Sequence, residues 1–117
     1  MLGMVLMAGI ASREVDRILE NFPLEAHTPF SITDRDAFSL RLEEIRAQGC
    51  VIEKEEAVEG LMGIASPVRD YSRQVVAALG IAFPVGQRNL NEDLAHTIDL
   101  VKKTGDQVSS DLGYLKI

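Results

Sequence analysis

Apolar residues recur along this chain in two rhythms, and the change of rhythm divides it into helices and strands. Val15, Ile18, Leu19 and Phe22 fall at i, i+3, i+4 and i+7, one stripe of a helix. Ser12 is placed to cap that helix and Pro23 to stop it. Ahead of it, Leu2 to Ala8 is apolar almost throughout and reads as a buried helix. After a loop from Leu24 to Ile32 containing Pro29, Thr33 opens a third helix, with Asp36 three residues on as a weak capping box. That helix buries Phe38, Leu42 and Ile45, turns Arg41, Glu43, Glu44 and Arg46 to water, and ends at Gly49, where a left-handed cap is wanted.

From Cys50 the period shortens to two. Cys50 to Glu53 predicts a short strand, Lys54 to Glu59 an acidic, solvated loop. Leu61 to Arg69 and Val75 to Phe83 predict two strands of an antiparallel hairpin turning through Asp70 to Gln74. Pro67 cannot donate to a ladder, so it belongs at an edge or a bulge. After Pro84 comes a polar loop, then a long helix capped near Asn91. Its stripe is Leu94, Ile98, Val101, Val108 and Leu112, with Gly105 on the same side and Gly113 closing it. Three strands make a thin sheet, so either another chain completes it or further strands lie upstream of Met1.

Alternate side chains of a strand face opposite ways. Val75, Ala77, Leu79, Ile81 and Phe83 make one bulky face; Val76, Ala78, Gly80 and Ala82 make a small one. On the preceding strand Leu61, Gly63 and Ala65 share a face opposite Met62, Ile64 and Val68. Residues that small leave room to be filled in the roughly 10 Å between packed layers. Either a helix or a ligand must approach closely there. In the second case Glu53 and the acidic loop stand at the mouth of a cavity.

Composition narrows the function classes. With 46% hydrophobic residues in 117, a single packed domain is expected. A net charge of −6 and the lack of a basic run argue against this chain binding DNA unaided. One cysteine, Cys50, excludes an internal disulfide and fits a reducing cytoplasm. The apolar start lacks the charged n-region of a signal peptide and is too short to span a bilayer.

No catalytic constellation converges. Glu53, Glu55, Glu56 and Glu59 read as a solvated loop rather than a metal cluster, and His27 and His96 are far apart without metal-ligand spacing. Cys50 has no cationic neighbour in sequence. Ser66, Ser72, Ser109 and Ser110 lack a nucleophile-elbow context, and Gly60 and Gly63 lie in a strand rather than at a helix N-terminus. The Asn91–Leu112 stripe spans about three heptads and reads as packing on the sheet rather than a coiled coil. The chain therefore reads as a non-enzyme needing no cofactor or metal.

The run Glu59-Gly60-Leu61-Met62-Gly63-Ile64-Ala65-Ser66-Pro67-Val68-Arg69-Asp70, followed by Val75 to Leu79, resembles the effector-binding domain of IclR-type bacterial transcription regulators. Leu2-Gly3 with Leu6 and Ala8, Pro29 through Ile32-Thr33-Asp34, Leu42 with Ile45-Arg46 and Gln48-Gly49, and Leu112-Gly113-Tyr114 resemble further segments of that domain in order and spacing. The resemblance implies a GAF-like, profilin-like α+β domain with an antiparallel sheet and flanking helices. Residues 1–117 would form part of it, without the family's winged helix-turn-helix region or the first strands of its effector domain. It implies a small organic effector, commonly a carboxylate or an aromatic catabolite, and a homo-oligomer, dimer or tetramer. DNA would be bound only through the winged helix-turn-helix region, and no membrane is involved.

The ligand-binding positions carried over are Gly3, Glu53, Leu61, Gly63, Gly80 and Ala82. Family members with carboxylate effectors often place an acid at the position of Glu53, a thiol at Gly63 and hydroxyls at Gly80 and Ala82. Here three polar side chains are missing, which suits a larger or more apolar ligand. An oligomerisation module that has lost sensing is the alternative reading.

Overall fold

The computed structural model describes residues 1–86 and 93–115. Its elements are α1 (Leu2–Ala8), α2 (Ser12–Asn21), α3 (Arg35–Gln48), β1 (Val51–Lys54), β2 (Leu61–Arg69), β3 (Val75–Pro84) and α4 (Leu94–Asp111). The strands form one antiparallel sheet in the order β1-β2-β3, and the fold is α+β. Helices α1 to α3 lie over one face, where Val5, Ala8, Val15, Leu19, Phe38 and Leu42 meet Val51 and Ala65. On the other face α4 brings Val101 against Met62, Ile64 and Phe83.

The helix boundaries differ from the sequence reading where capping chemistry decides them. Ala11, not Ser12, is the N-cap of α2, and no side chain caps it. Asp34, not Thr33, caps α3: its carboxylate accepts from the Ala37 amide at 2.9 Å, one of the donors a helix start leaves free. Gly49 ends α3 at φ +74°, its amide bonded to the Ile45 carbonyl at 2.8 Å. The expected cap at Asn91 lies outside the described residues.

The buried stripes are narrower than the apolar ones. In α2, Val15 and Leu19 are buried, whereas Ile18 is part exposed and Phe22, at the C-cap, is exposed. In α1 only Val5 and Ala8 are buried, so this helix is not enclosed all round; Leu2 and Leu6 face outward. In α4 the buried line is Thr97, Val101, Gly105 and Ser109, with Leu94 and Ile98 flanking and Leu112 exposed. Small residues form that line because α4 sits close against β2. The Ser66 hydroxyl donates to the Val101 carbonyl at 3.0 Å, and the Arg69 amide donates to the Ser109 hydroxyl at 2.9 Å. Packing on the sheet, rather than a coiled coil, is the use of this stripe.

The first strand begins at Val51 rather than Cys50, which is buried before it, and β3 runs one residue further, to Pro84. Pro67 pairs only with Ala78 of β3, because β1 ends its pairing with β2 at Ala65; a register shift follows at Val68/Arg69. The missing N–H therefore breaks no ladder. Asp70 organises the hairpin turn by accepting from the Ser72 amide at 2.8 Å. A bond from the Ser72 hydroxyl, together with this one from its amide, holds the Asp70 carboxyl below the usual carboxylate range.

Candidate functional site

The small-residue face of the hairpin is covered by a helix. A side chain at Gly63 would collide with the Met1 side chain, and one at Gly80 would come within 3.2 Å of Leu2 and 2.8 Å of the Ile64 carbonyl. Further along, Gly9 at the end of α1 meets Val75. So α1 runs along β3, and the glycines set its close approach.

Beside the start of α1 a cavity of about 290 Å³ opens between the sheet, α3 and the loops at residues 23–32 and 55–60. Its walls are largely apolar, from Met1, Met4, Leu24, Ile32 and Phe38. Its polar groups are Glu25, His27, Ser31, Glu53 and Glu56; among the described residues no lysine or arginine lines it.

Glu53 reaches this cavity by strand alternation: Val51 and Glu53 point inward while Ile52 and Lys54 point outward. Paired with Gly63, it is only 7% exposed. A buried carboxylate needs partners for its oxygens. One accepts from the Ala57 amide at 3.0 Å, and the other lies 3.1 Å from the Met1 ammonium.

Two loops are stitched together at the rim. The Thr28 hydroxyl donates to the Glu55 carbonyl and the Ser31 hydroxyl to the Glu56 carbonyl, each at 2.5 Å. The Ser31 oxygen accepts from the His27 and Thr28 amides at 2.9 and 3.0 Å. The Glu56 carboxylate takes two N–H bonds from Arg41, at 2.9 and 3.0 Å, the fork-to-fork geometry that favours arginine over lysine. Arg41 is thus not turned to water as its helix pattern predicts, and Glu56 is not a free loop acid. Arg46 is exposed as expected, and its Nε also donates to the Ala8 carbonyl at 2.7 Å, satisfying the end of α1.

Of the six positions carried over, only Glu53 lines the cavity. Gly63 is buried beneath Met1, next to Glu53 in the register. Gly80 lies under Leu2, Ala82 is exposed and pairs with Gly63, Gly3 is exposed on α1, and Leu61 is part exposed at the start of β2. Sequence reasoning missed Met4, Ser31 and Phe38 as cavity-lining residues, and Thr28 and Arg41 as residues that brace the rim. The run Thr28-Pro29-Phe30-Ser31 carried a signal, since hydroxyls flanking a proline favour local backbone bonds; the partner of Arg41, fifteen residues away, carried none.

A second cavity of about 270 Å³, lined by Arg69, Asp106, Ser110 and Tyr114 among others, lies by the end of α4. It has no strand-borne buried carboxylate. Among the described residues no group of His, Cys, Asp and Glu side chains is arranged to hold a metal ion, and no helix is long and apolar enough to cross a membrane.

Comparison with known proteins gives this geometry a family. The profile described as bacterial transcriptional regulator IclR C-terminal matches residues 1–110. The chain is similar to the HTH-type transcriptional regulators XynR and KdgR of Escherichia coli, 29% and 34% identical over 97% of its length. It spans 44% and 43% of those two relatives, less than half of each. The crystal structure of the KdgR C-terminal domain superimposes with a TM-score of 0.86, covering 97% of this chain and 68% of that one. The inducer-binding domain of PobR from Acinetobacter, solved as a double mutant with 3-hydroxybenzoic acid, has the same fold at 23% identity and a TM-score of 0.85, over 92% of this chain and 62% of that one. With the family profile spanning nearly its whole length, the chain belongs to the IclR family of bacterial transcriptional regulators and matches part of their C-terminal domain.

Proposed function

We propose that this chain is the effector-sensing part of an IclR-type regulator, taking a small organic molecule in the cavity beside Glu53. The observation that carries the reading is the cavity itself: an apolar-walled space with a buried carboxylate at one end and a hydrogen-bonded rim. That is the usual make-up of a small-molecule site, and its volume is at the small end of the usual range, about 300–1,000 Å³. The lining favours the aromatic, more apolar end of the family's effectors over small carboxylates. The cationic groups beside the cavity, the Met1 ammonium and Arg41, are already engaged by Glu53 and Glu56, so an anionic ligand would find no lining lysine or arginine to pair with. Gly63, Gly80 and Ala82 contribute shape rather than polar contacts. Occupancy of the site would bias the oligomeric state, dimer or tetramer, of a cytoplasmic regulator whose DNA contacts come from a winged helix-turn-helix region.

A thermal-shift screen over phenolic, aromatic and carboxylate compounds tests this. A true effector at about 100 times its Kd adds roughly 2.7 kcal/mol of stability. Silence across a broad panel sinks the sensing reading. The alternative, an assembly module that has lost sensing, is favoured by one observation: α1 already fills the small-residue face at Gly63 and Gly80. Sedimentation separates it, since a ligand-insensitive oligomer supports the alternative and a ligand-responsive one the proposal.

A further inference from the structure

Glu53 is sent into the first cavity by the sheet itself, and its two carboxylate oxygens are used differently. Oε1 accepts from the Ala57 amide, a bond that fixes the loop at residues 55–60. Oε2 lies 3.1 Å from the Met1 ammonium. That second contact sets an ammonium on an apolar stem against a carboxylate only 7% exposed. The Met1 thioether continues over Gly63, and Met4, Leu24, Ile32 and Phe38 complete the apolar wall.

The other charges along the wall have the same sign as Glu53 or are already matched. Two nitrogens of Arg41 hold the Glu56 carboxylate. Glu25, exposed, adds a further acid. Among the described residues, exposed His27 is the only lining side chain able to carry a positive charge. A buried carboxylate stripped of its counter-charge is costly. A molecule that displaces Met1 from Glu53 must therefore bring a positive charge of its own, which an acid cannot do and an alcohol does only through a neutral hydrogen bond.

We infer that the effector of this site is an organic cation, a primary amine on a short apolar or aromatic body, whose ammonium takes Oε2 of Glu53 from the Met1 ammonium. The inference rests on the sensing reading of the cavity and names a ligand class for it. Glu53 stays paired throughout the exchange, the Ala57 bond is kept, and the apolar body lies against Met4, Ile32 and Phe38. The space of about 290 Å³ suits one ring with a short arm.

The test compares three compounds of nearly one shape and different charge: 2-phenylethylamine, 2-phenylethanol and phenylacetate. Calorimetry on the whole chain should give the amine a Kd at least about tenfold lower than either counterpart, the worth of a charged hydrogen bond. Glu53→Gln should remove that preference. Glu43→Gln, the same charge change at an exposed acid outside the cavity, should leave it intact. Acetylating the Met1 amine removes the internal competitor and should tighten amine binding. Circular dichroism and melting check that each variant is folded, and the comparison on the unaltered chain needs no variant. Equal or tighter binding of phenylacetate or the alcohol overturns the inference and leaves the sensing reading standing. An amine preference that survives Glu53→Gln, or no gain on acetylation, also overturns it. Silence from all three compounds overturns it as well, while the sensing reading falls only if the broad panel is silent too.

Discussion

The Ser66 hydroxyl oxygen occupies the space into which any side chain at Gly105 would project. The same hydroxyl donates to the Val101 carbonyl one turn earlier, so β2 and α4 are locked at a spacing only glycine permits. Gly105→Ala should therefore destabilise the domain although alanine favours the helix by about 1 kcal/mol. Overpacking of this kind costs about 1–3 kcal/mol, and the net loss should appear as a lower urea midpoint. Ser66→Ala should cost about 1 kcal/mol for the lost buried bond and should soften the penalty of Gly105→Ala when the two are combined.

The rim of the cavity should depend on Arg41 more than its place on a helix surface implies. Its pair with Glu56 is part buried and bidentate, so Arg41→Ala should cost roughly 1–2 kcal/mol, between the exposed and buried limits. Hydrogen exchange of residues 55–60 should accelerate with it. Thr28→Val and Ser31→Ala should each lower stability by about 1 kcal/mol and loosen the same segment.

Glu53→Gln tests ligand recognition against folding. The amide keeps an oxygen for the Ala57 N–H but gives up the pair with the Met1 ammonium, so the melting temperature should fall while the variant stays folded. The Kd of a stabilising ligand that donates a hydrogen bond to the carboxylate should rise at least about tenfold, the range for charged hydrogen bonds. An unchanged Kd for every such ligand would remove Glu53 from the site.

Cys50 should be a silent thiol. Burial pushes its pKa up, and the nearby Lys102 ammonium offsets this only in part. At pH 7 a disulfide reagent should modify the native protein far more slowly than the protein in denaturant. The linkage sign follows from the raised pKa: the unfolded thiol ionises first. Its contribution to stability is complete below the ordinary thiol value of about 8.5. It is lost as pH rises through the raised native value. Cys50→Ser should flatten that alkaline limb of the stability profile.

The hairpin, the α3 core of Phe38, Leu42 and Ile45, the cap at Gly49 and the small face of the sheet were legible in the sequence because each is set by local spacing or by a residue type with one conformational use. The choice between helix and ligand over that face was not, since glycine and alanine record only that something comes close. Capping at Asp34 rather than Thr33 turned on which side chain reaches the Ala37 amide, a matter of one torsion. The cavity rim was hidden for a different reason: Arg41 and Glu56, or Thr28 and Glu55, meet only after the chain has folded back across two elements.

The fit of α1 over Gly80 also limits how this domain can change its chemistry. Adding a hydroxyl-bearing side chain at Gly80 would press hardest on the Ile64 carbonyl of β2 and also on Leu2 of α1, so the strand spacing and the seat of α1 must give before the new group fits. A substitution there would therefore alter the height of α1, and through Arg46 the seat of α3, in the same step as it altered polarity. Ligand preference and helix position would then be inherited as one trait.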